Sequence, residues 1–301
     1  MATPDGFWQS DLESRRETLE TMVSVGIDHV YMADHVSFRN GAGTDGFIEV
    51  AALSQLHPTI AVMISIYLLP LRHPLPVARQ LASMQKVAGS RMIFGVGIGG
   101  EDRHEIEVCG VDPKTRGRRM DESLQLVRAL MDGEQVSFAG EFFNVQDALI
   151  RPALAPRVPI IVGGRSDAAL RRTGRYGDGW VGAWCSERRY AQALGLIAES
   201  AAEAGRGDVS WLHGYQPWVG VGDSTAEARA RVSRAMEAFY KVPFEKFERY
   251  TPYGTPAEVA DRLKPYVAAG CRLMNLKVVA GSDPETIAAA GEIAAALREA
   301  L

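Results

Sequence analysis

The sequence predicts an α/β fold, a (β/α)8 TIM barrel with insertions, and three observations carry that prediction. Apolar runs of strand length alternate with segments of helical periodicity about seven times along 301 residues. Composition does not shift anywhere along this alternation, so one domain over 1–301 is expected rather than several. No GxGxxG opens a first helix after a first strand, which disfavours the doubly wound open sheet, the other architecture with this rhythm. The GVGIGG at 95–100 sits mid-chain with the wrong spacing.

The elements follow in order. Only residues 1–4 precede Asp5-Gly6, so the first barrel strand is expected to be short or truncated. Residues 11–25 place Leu12, Leu19, Met22 and Val23 at helical spacing, and Gly26 closes the turn. Strands are expected at about 28–33 and 60–69, then a helix at 76–88 ending at Gly89, then a strand at 91–97. A helix near 116–131 precedes the strand VPIIVGG (158–164), its helix SDAALRRTGRY, and the strand GDGWVGA (177–183). A helix at about 187–203 leads to WLHGYQPWVGVG (211–222), which contains a sixth strand. Ser224 with Glu227 and Thr255 with Glu258 have capping-box spacing, with Pro256 suited to a first helical position. LMNLKVV (273–279) is the last strand, and Asp283-Pro284 opens the last helix.

Two insertions interrupt the alternation. Residues 98–157 are several-fold longer than an ordinary βα connection and include VSFAGEFFNV, a hairpin around Ala139-Gly140. Residues 238–254 carry Phe239, Tyr240, Phe244, Phe247, Tyr250 and Tyr253. Either segment suits a lid, an oligomer surface or plain packing on the barrel.

Bulk composition excludes several classes of function. A balance of 47% hydrophobic and 23% charged residues is that of a soluble globular chain, and a net charge of −4 gives no footprint for nucleic acid. No apolar stretch nears membrane-spanning length, and the N-terminus lacks the basic and apolar regions of a signal peptide. Cys109, Cys185 and Cys271 lie far apart without metal-ligand spacing, so reduced thiols in a cytoplasmic protein are expected, and no metal site. HExxH and GxSxG motifs are absent.

Chemistry concentrates at strand ends. The run Val30-Tyr31-Met32-Ala33 stops at Asp34-His35 ahead of a glycine-bearing loop. The C-terminal ends of barrel strands hold active sites, and histidine is the side chain whose ordinary pKa suits proton exchange near neutrality. Gly163-Gly164-Arg165-Ser166 joins a strand to a helix start, where small residues and orphan amides suit an anion. A histidine that only braces a loop, and a βα turn that needs glycine for its own geometry, are the plain structural alternatives.

Four blocks, GIDHVYMADH (26–35), LPLRHPLPVARQLASMQKVAGSRMIFGVGIGG (69–100), VPIIVGGRSDAALRRTGRYGDGWVGA (158–183) and YGTPAEVADRLKPYVAAGCRLMNLKVV (253–279), resemble the luciferase-like flavin monooxygenase superfamily, and within it the oxidoreductases that use the deazaflavin coenzyme F420. The resemblance implies a (β/α)8 barrel, a small-molecule substrate and a homodimer. It implies that His35 exchanges a proton with the substrate and that Asp34 orients His35 or contacts the cofactor. Ser65-Ile66 would form a bulge with a non-proline cis peptide behind the cofactor ring, and Gly97 would also contact the cofactor. Gly163, Gly164 and Arg165 would hold the cofactor phosphate, with Gly182 and Ala183 as neighbours; relatives can carry a hydroxyl where this chain has Ala183. Glu101 is an acid–base candidate in the loop after 91–97, although a solvated loop carboxylate fits it better. Arg72-His73 would be structural or lie at the cofactor's edge. The expected activity is hydride transfer between F420 and a small organic molecule. The alternatives are an FMN-dependent monooxygenase and a barrel that binds flavin without turnover.

Overall fold

In the computed structural model, which describes residues 1–39, 41–100 and 102–300, seven parallel strands form one curled sheet. Their order is His29–Met32, Ala61–Leu68, Met92–Gly97, Ile160–Gly163, Gly179–Gly182, Gly214–Tyr215 and Leu273–Met274. Residues 1–3 stand in the first-strand position. Ala2 bridges Tyr31 in parallel, Tyr31 N donates to Met1 O at 3.0 Å, and Ala2 N donates to Leu276 O at 3.0 Å. The short first strand therefore joins the last barrel strand to the second, and the fold is the expected (β/α)8 barrel.

Alternation along each strand divides the molecule into layers. On His29–Met32, Val30 points outward into the main core between strands and helices, among Leu19, Val50, Val62 and Phe94. Tyr31 points inward and packs with Met63, Ile161, Val181 and Leu273 inside the barrel. Helices begin where the local chemistry dictates. Asp11 caps Leu12–Ser24 through Ser14 N, and Ser282 caps Asp283–Arg298 through Glu285 N. Thr255 and Glu258 make the full reciprocal box. The Ser224 hydroxyl accepts from Glu227 N as expected, but the Glu227 carboxylate accepts from Asp223 N.

Four expectations need correction. The helix expected at 76–88 is Pro74–Ala88, because Pro74 fits the first turn and His73 Nδ1 accepts from Leu75 N. The strand expected within 211–222 is two strands, and so is 273–279. Trp218–Val221 and Lys277–Val279 leave the barrel and join Tyr253–Gly254 in a separate three-stranded parallel sheet with Trp218–Val221 in the middle. The loop after His35 is an antiparallel hairpin, His35–Phe38 with Ala42–Thr44. Residues 238–254 hold the last turn of the helix Thr225–Tyr240, two 3₁₀ turns and the Tyr253–Gly254 strand. The hairpin foreseen around Ala139-Gly140 is present as Val136–Ala139 and Asn144–Ala148. No helix among the described residues is long and apolar enough to cross a membrane.

Candidate active site

His35 is the first imidazole past the rim of the barrel strand His29–Met32. Its ring lies 4.3 Å from that of Phe38, and its Nδ1 lies 3.0 Å from Glu105 Oε2. Glu105 belongs to the short helix Arg103–Val108 in the first insertion. Its side chain is 3% exposed, and its Oε1 also accepts from Val36 N at 2.7 Å and Ser37 N at 3.3 Å. A buried carboxylate held this way draws the imidazole proton to Nδ1 and leaves the Nε2 lone pair for a substrate proton.

Asp34 does not orient His35, which corrects that expectation. Its carboxylate is turned into the wall, where it accepts from Arg72 at 2.5 and 2.8 Å, from Leu68 N at 3.0 Å and from Gly46 N at 3.2 Å. Gly46 lets the next helix come this close, since a Cβ there would sit 2.7 Å from Ile64 Cγ2. Arg72 also lies over the Tyr67 ring at 4.3 Å. Asp34 and Arg72 thus lock three strand and helix ends together behind His35.

The barrel floor has an apolar half and a polar half. Ser65-Ile66 is a non-proline cis peptide at a register shift between Ile64 and Tyr67. Ile66 reaches across the barrel interior: a Cβ on Gly97 would lie 2.0 Å from its Cδ1, and one on Gly163 2.7 Å. These two glycines make room for Ile66. On the polar half, Ser65 Oγ donates to Gln216 Oε1 at 2.7 Å, and Asn275 Nδ2 donates to both, at 3.1 and 3.2 Å.

The anion cradle follows the strand Ile160–Gly163. Ser166 caps the helix Asp167–Tyr176, and Ala169 N closes onto Ser166 at 2.9 Å, which leaves the amides ahead of it as orphan donors. Gly164 has φ +134°, and a Cβ there would lie 2.8 Å from Ala169 Cβ. Trp180 ties the turn down by donating from Nε1 to Gly164 O at 2.7 Å. The same indole fills the space a Gly182 side chain would need. Ala183 is half-buried next to it. Arg165 lies 5.2 Å over Trp184. A bare glycine turn, orphan amides and an adjacent guanidinium fit the phosphate end of a flavin-type coenzyme.

Aromatic side chains link the two ends of the site. From His35, rings run through Phe38 to Phe239 at 6.2 Å, to Trp218 at 5.9 Å and on to Tyr240 at 5.9 Å. Tyr240 meets Trp184 at 5.0 Å, beneath Arg165. Arg39 Nη2 fastens the hairpin to this wall by donating to Tyr240 O at 3.0 Å.

The structure brings His35, Ser65, Ile66, Gly97, Gly163, Gly164, Arg165, Gly182 and Ala183 to one barrel mouth. Glu101 lies outside the described residues. Glu105, Gln216 and Asn275 were not singled out from sequence. Asp102 three residues before Glu105 is a helix-start spacing, and Asp102 does cap that helix through His104 N. That signal puts Glu105 on a first turn facing back to the rim. Gln216 and Asn275 carry no such mark.

A family model for luciferase-like monooxygenases matches residues 5–253. An uncharacterised protein of Mycobacterium tuberculosis is 32% identical over 167 residues, 56% of this chain and 57% of that protein, so the match spans little more than half of that relative's length. An F420-dependent glucose-6-phosphate dehydrogenase of Amycolatopsis mediterranei is 26% identical over 279 residues, 82% of each chain. Among solved structures, an F420-dependent secondary alcohol dehydrogenase in complex with an F420-acetone adduct superposes with a TM-score of 0.83 at 19% identity, covering 96% of both chains. At that identity the likeness speaks for the fold.

Proposed function

The chain belongs to the luciferase-like monooxygenase family, and from that premise we propose that it is an F420-dependent oxidoreductase acting on a small organic alcohol or carbonyl compound. Bound F420 would supply the hydride chemistry. The observation that carries the reading is the Glu105–His35 pair at the strand end. His35 Nε2 takes the proton of a substrate hydroxyl as it becomes a carbonyl, or returns it in the reverse direction. Glu105 balances the charge that then develops on the imidazole. Gly163, Gly164 and Arg165 hold the coenzyme's phosphate, and Ile66, Gly97, Gly182 and Ala183 shape the cavity for its ring. Asp34 serves this site from behind, by fixing Arg72 and the Leu68 amide. The named activity of the Amycolatopsis relative supports the choice of coenzyme.

The wall of Phe38, Phe239, Trp218, Tyr240 and Trp184 favours an apolar or ring-bearing substrate over a highly charged one. A single domain whose two insertions build the walls, a cytoplasmic location and a homodimeric state belong to the same proposal, supported by the composition and the family resemblance. The second reading is an FMN-dependent monooxygenase, favoured by the family's own description. Equilibrium titrations of the apo-protein with F420 and with FMN, read by quenching of cofactor fluorescence, separate the two. Tighter binding of FMN overturns the F420 reading. Tight F420 binding without turnover across an alcohol and ketone panel favours a binding protein.

A further inference from the structure

The aromatic wall has a cation at its far end. Trp218 and Lys277 are register partners where their strands leave the barrel, and the next pair is Val219 with Val278. Val219 and Val278 turn into the main core, so Trp218 and Lys277 face the other way, with the wall. On that face the helix Thr225–Tyr240 covers the pair beyond, Gly220 and Val279, where a Cβ on Gly220 would meet Val232 Cβ at 2.8 Å. Trp218 and Lys277 are therefore left on the barrel side of that helix, by the mouth. Lys277 Nζ lies 5.8 Å from the centre of the Trp218 ring, and the lysine side chain is 24% exposed. Its acidic partner is Asp5 Oδ1 at 2.7 Å, on a side chain 92% exposed just past the first strand. An ion pair with so exposed an acid contributes little, so the ammonium is available to a better partner.

Other cations near the mouth have work of their own. Arg72 holds Asp34, Arg39 donates to Tyr240 O, and Arg165 stands at the anion cradle. A substrate with its reacting carbon at His35 and its body along Phe38, Phe239 and Trp218 meets Lys277 with its remote end. Resting on the F420 reading, we propose that Lys277 is a specificity-determining residue that receives a carboxylate at that end, so that the preferred substrates are ring-bearing hydroxy acids and the matching keto acids. The ammonium has three donors and can take a carboxylate while still touching Asp5. Asp5 beside it disfavours a dianionic phosphate, and a second charge along the body would lie unpaired against the rings. The carboxylate takes no part in the redox step: the hydride leaves the C–H bond for the coenzyme, and the hydroxyl proton goes to His35 Nε2.

The probes are acetophenones with a para carboxylate, attached directly or through one or two methylenes, each paired with its primary amide of the same shape. Their affinities for the F420-loaded protein are read by calorimetry, and kcat/KM by F420 reduction with the matching alcohols. In the best-fitting pair, wild type should bind the acid about 10-fold more tightly than the amide, the low end for a hydrogen bond to a charged group because Lys277 is partly exposed. The same preference should appear in KM rather than kcat, since the contact is equal in ground and transition states. Lys277→Met should bring the acid-to-amide ratio to about one. Asp5→Asn removes the competing carboxylate and should raise the ratio about two- to threefold. That variant carries the test should Lys277→Met not fold, as judged by circular dichroism. A lysine that only staples the first strand would lower Tm in both variants and leave the ratio unmoved. Wild type that binds F420 but takes no probe, or takes acid and amide equally, overturns this inference alone. A preference that survives in folded Lys277→Met, or a ratio that does not rise in Asp5→Asn, overturns the role of Lys277. Wild type that does not bind F420 overturns the function proposed above, and this inference with it.

Discussion

Glu105→Gln is the perturbation that separates charge from shape at His35. The carboxylate accepts four contacts: Val36 N at 2.7 Å, Ser37 N at 3.3 Å, and His35 Nδ1 at 3.0 and 3.3 Å. Glutamine can keep Oε1 on the two backbone amides. Its other end is then an NH2 group facing Nδ1, so the ring proton moves to Nε2 and the lone pair meant for the substrate is lost. Because a donor still meets an acceptor at every contact, stability should change by less than about 1 kcal/mol. Turnover should fall by about 10²- to 10⁴-fold, the usual share of general acid–base catalysis. Glu105→Ala should do both: it strands two good donors, one of them on an exposed hairpin, for about 2–4 kcal/mol or roughly 3–6 °C in Tm. The measurements are kcat for F420 reduction with a saturating alcohol, and imidazole ¹⁵N shifts that report the tautomer. His35→Ala should lose as much turnover as Glu105→Gln, and the double variant little more, since the pair acts as a unit. If Glu105→Gln retains kcat within about threefold of wild type, or keeps the Nδ1–H tautomer, the orienting role of Glu105 is wrong.

Arg72→Leu leaves the Asp34 carboxylate buried without its cation, and denaturant unfolding should show a loss of about 3–5 kcal/mol. Gly97→Ala should displace Ile66 and cost about 1–3 kcal/mol, and adding Ile66→Ala should recover part of that loss in the same assay. His213 is buried with Nδ1 accepting from Trp180 N at 3.2 Å, and burial holds its pKa down at about 4. The folded state therefore refuses a proton that the unfolded chain binds below its ordinary pKa of about 6.5, so stability should be full above that pH and fall by about 3 kcal/mol as pH drops from 6.5 to 4. Urea midpoints at pH 7 and pH 5 check this, and His213→Asn, which keeps an acceptor but cannot titrate, should flatten the difference.

Most of the barrel was legible because its strands are apolar runs buried on both faces, such as the one that became Ala61–Leu68. Legibility failed where a strand changes partners. Trp218–Val221 reads like a continuation of Gly214–Tyr215, yet the chain leaves one sheet for another at Gln216-Pro217. Nothing in a periodicity of two reports which sheet a strand joins. The site divides the same way. His35 and the Gly163–Gly164 turn announced themselves by residue type at a strand end. Asp34 looked like a partner for the histidine beside it, but neighbours along an extended chain point apart, and its partner Arg72 lies 38 residues on. Glu105 comes from another insertion 70 residues away, a pairing that only the folded barrel creates. Gly97 and Gly163 were read as ligand contacts, and the structure gives them a nearer reason in Ile66.

The aromatic wall stands on its own foundation. Val232, Met236 and Phe244 form a small core under it, separate from the main one, with Trp218, Tyr240, Phe247 and Tyr253 packed around them. Side chains in contact respond to mutation together. Phe247 meets Trp184 at 5.1 Å and Phe239 meets Phe38 at 6.2 Å, so recutting the wall at either position reaches the Arg165 turn or the neighbour of His35 as well as the opening. A library built for new selectivity therefore varies wall residues and the site residues they touch together, not the wall alone.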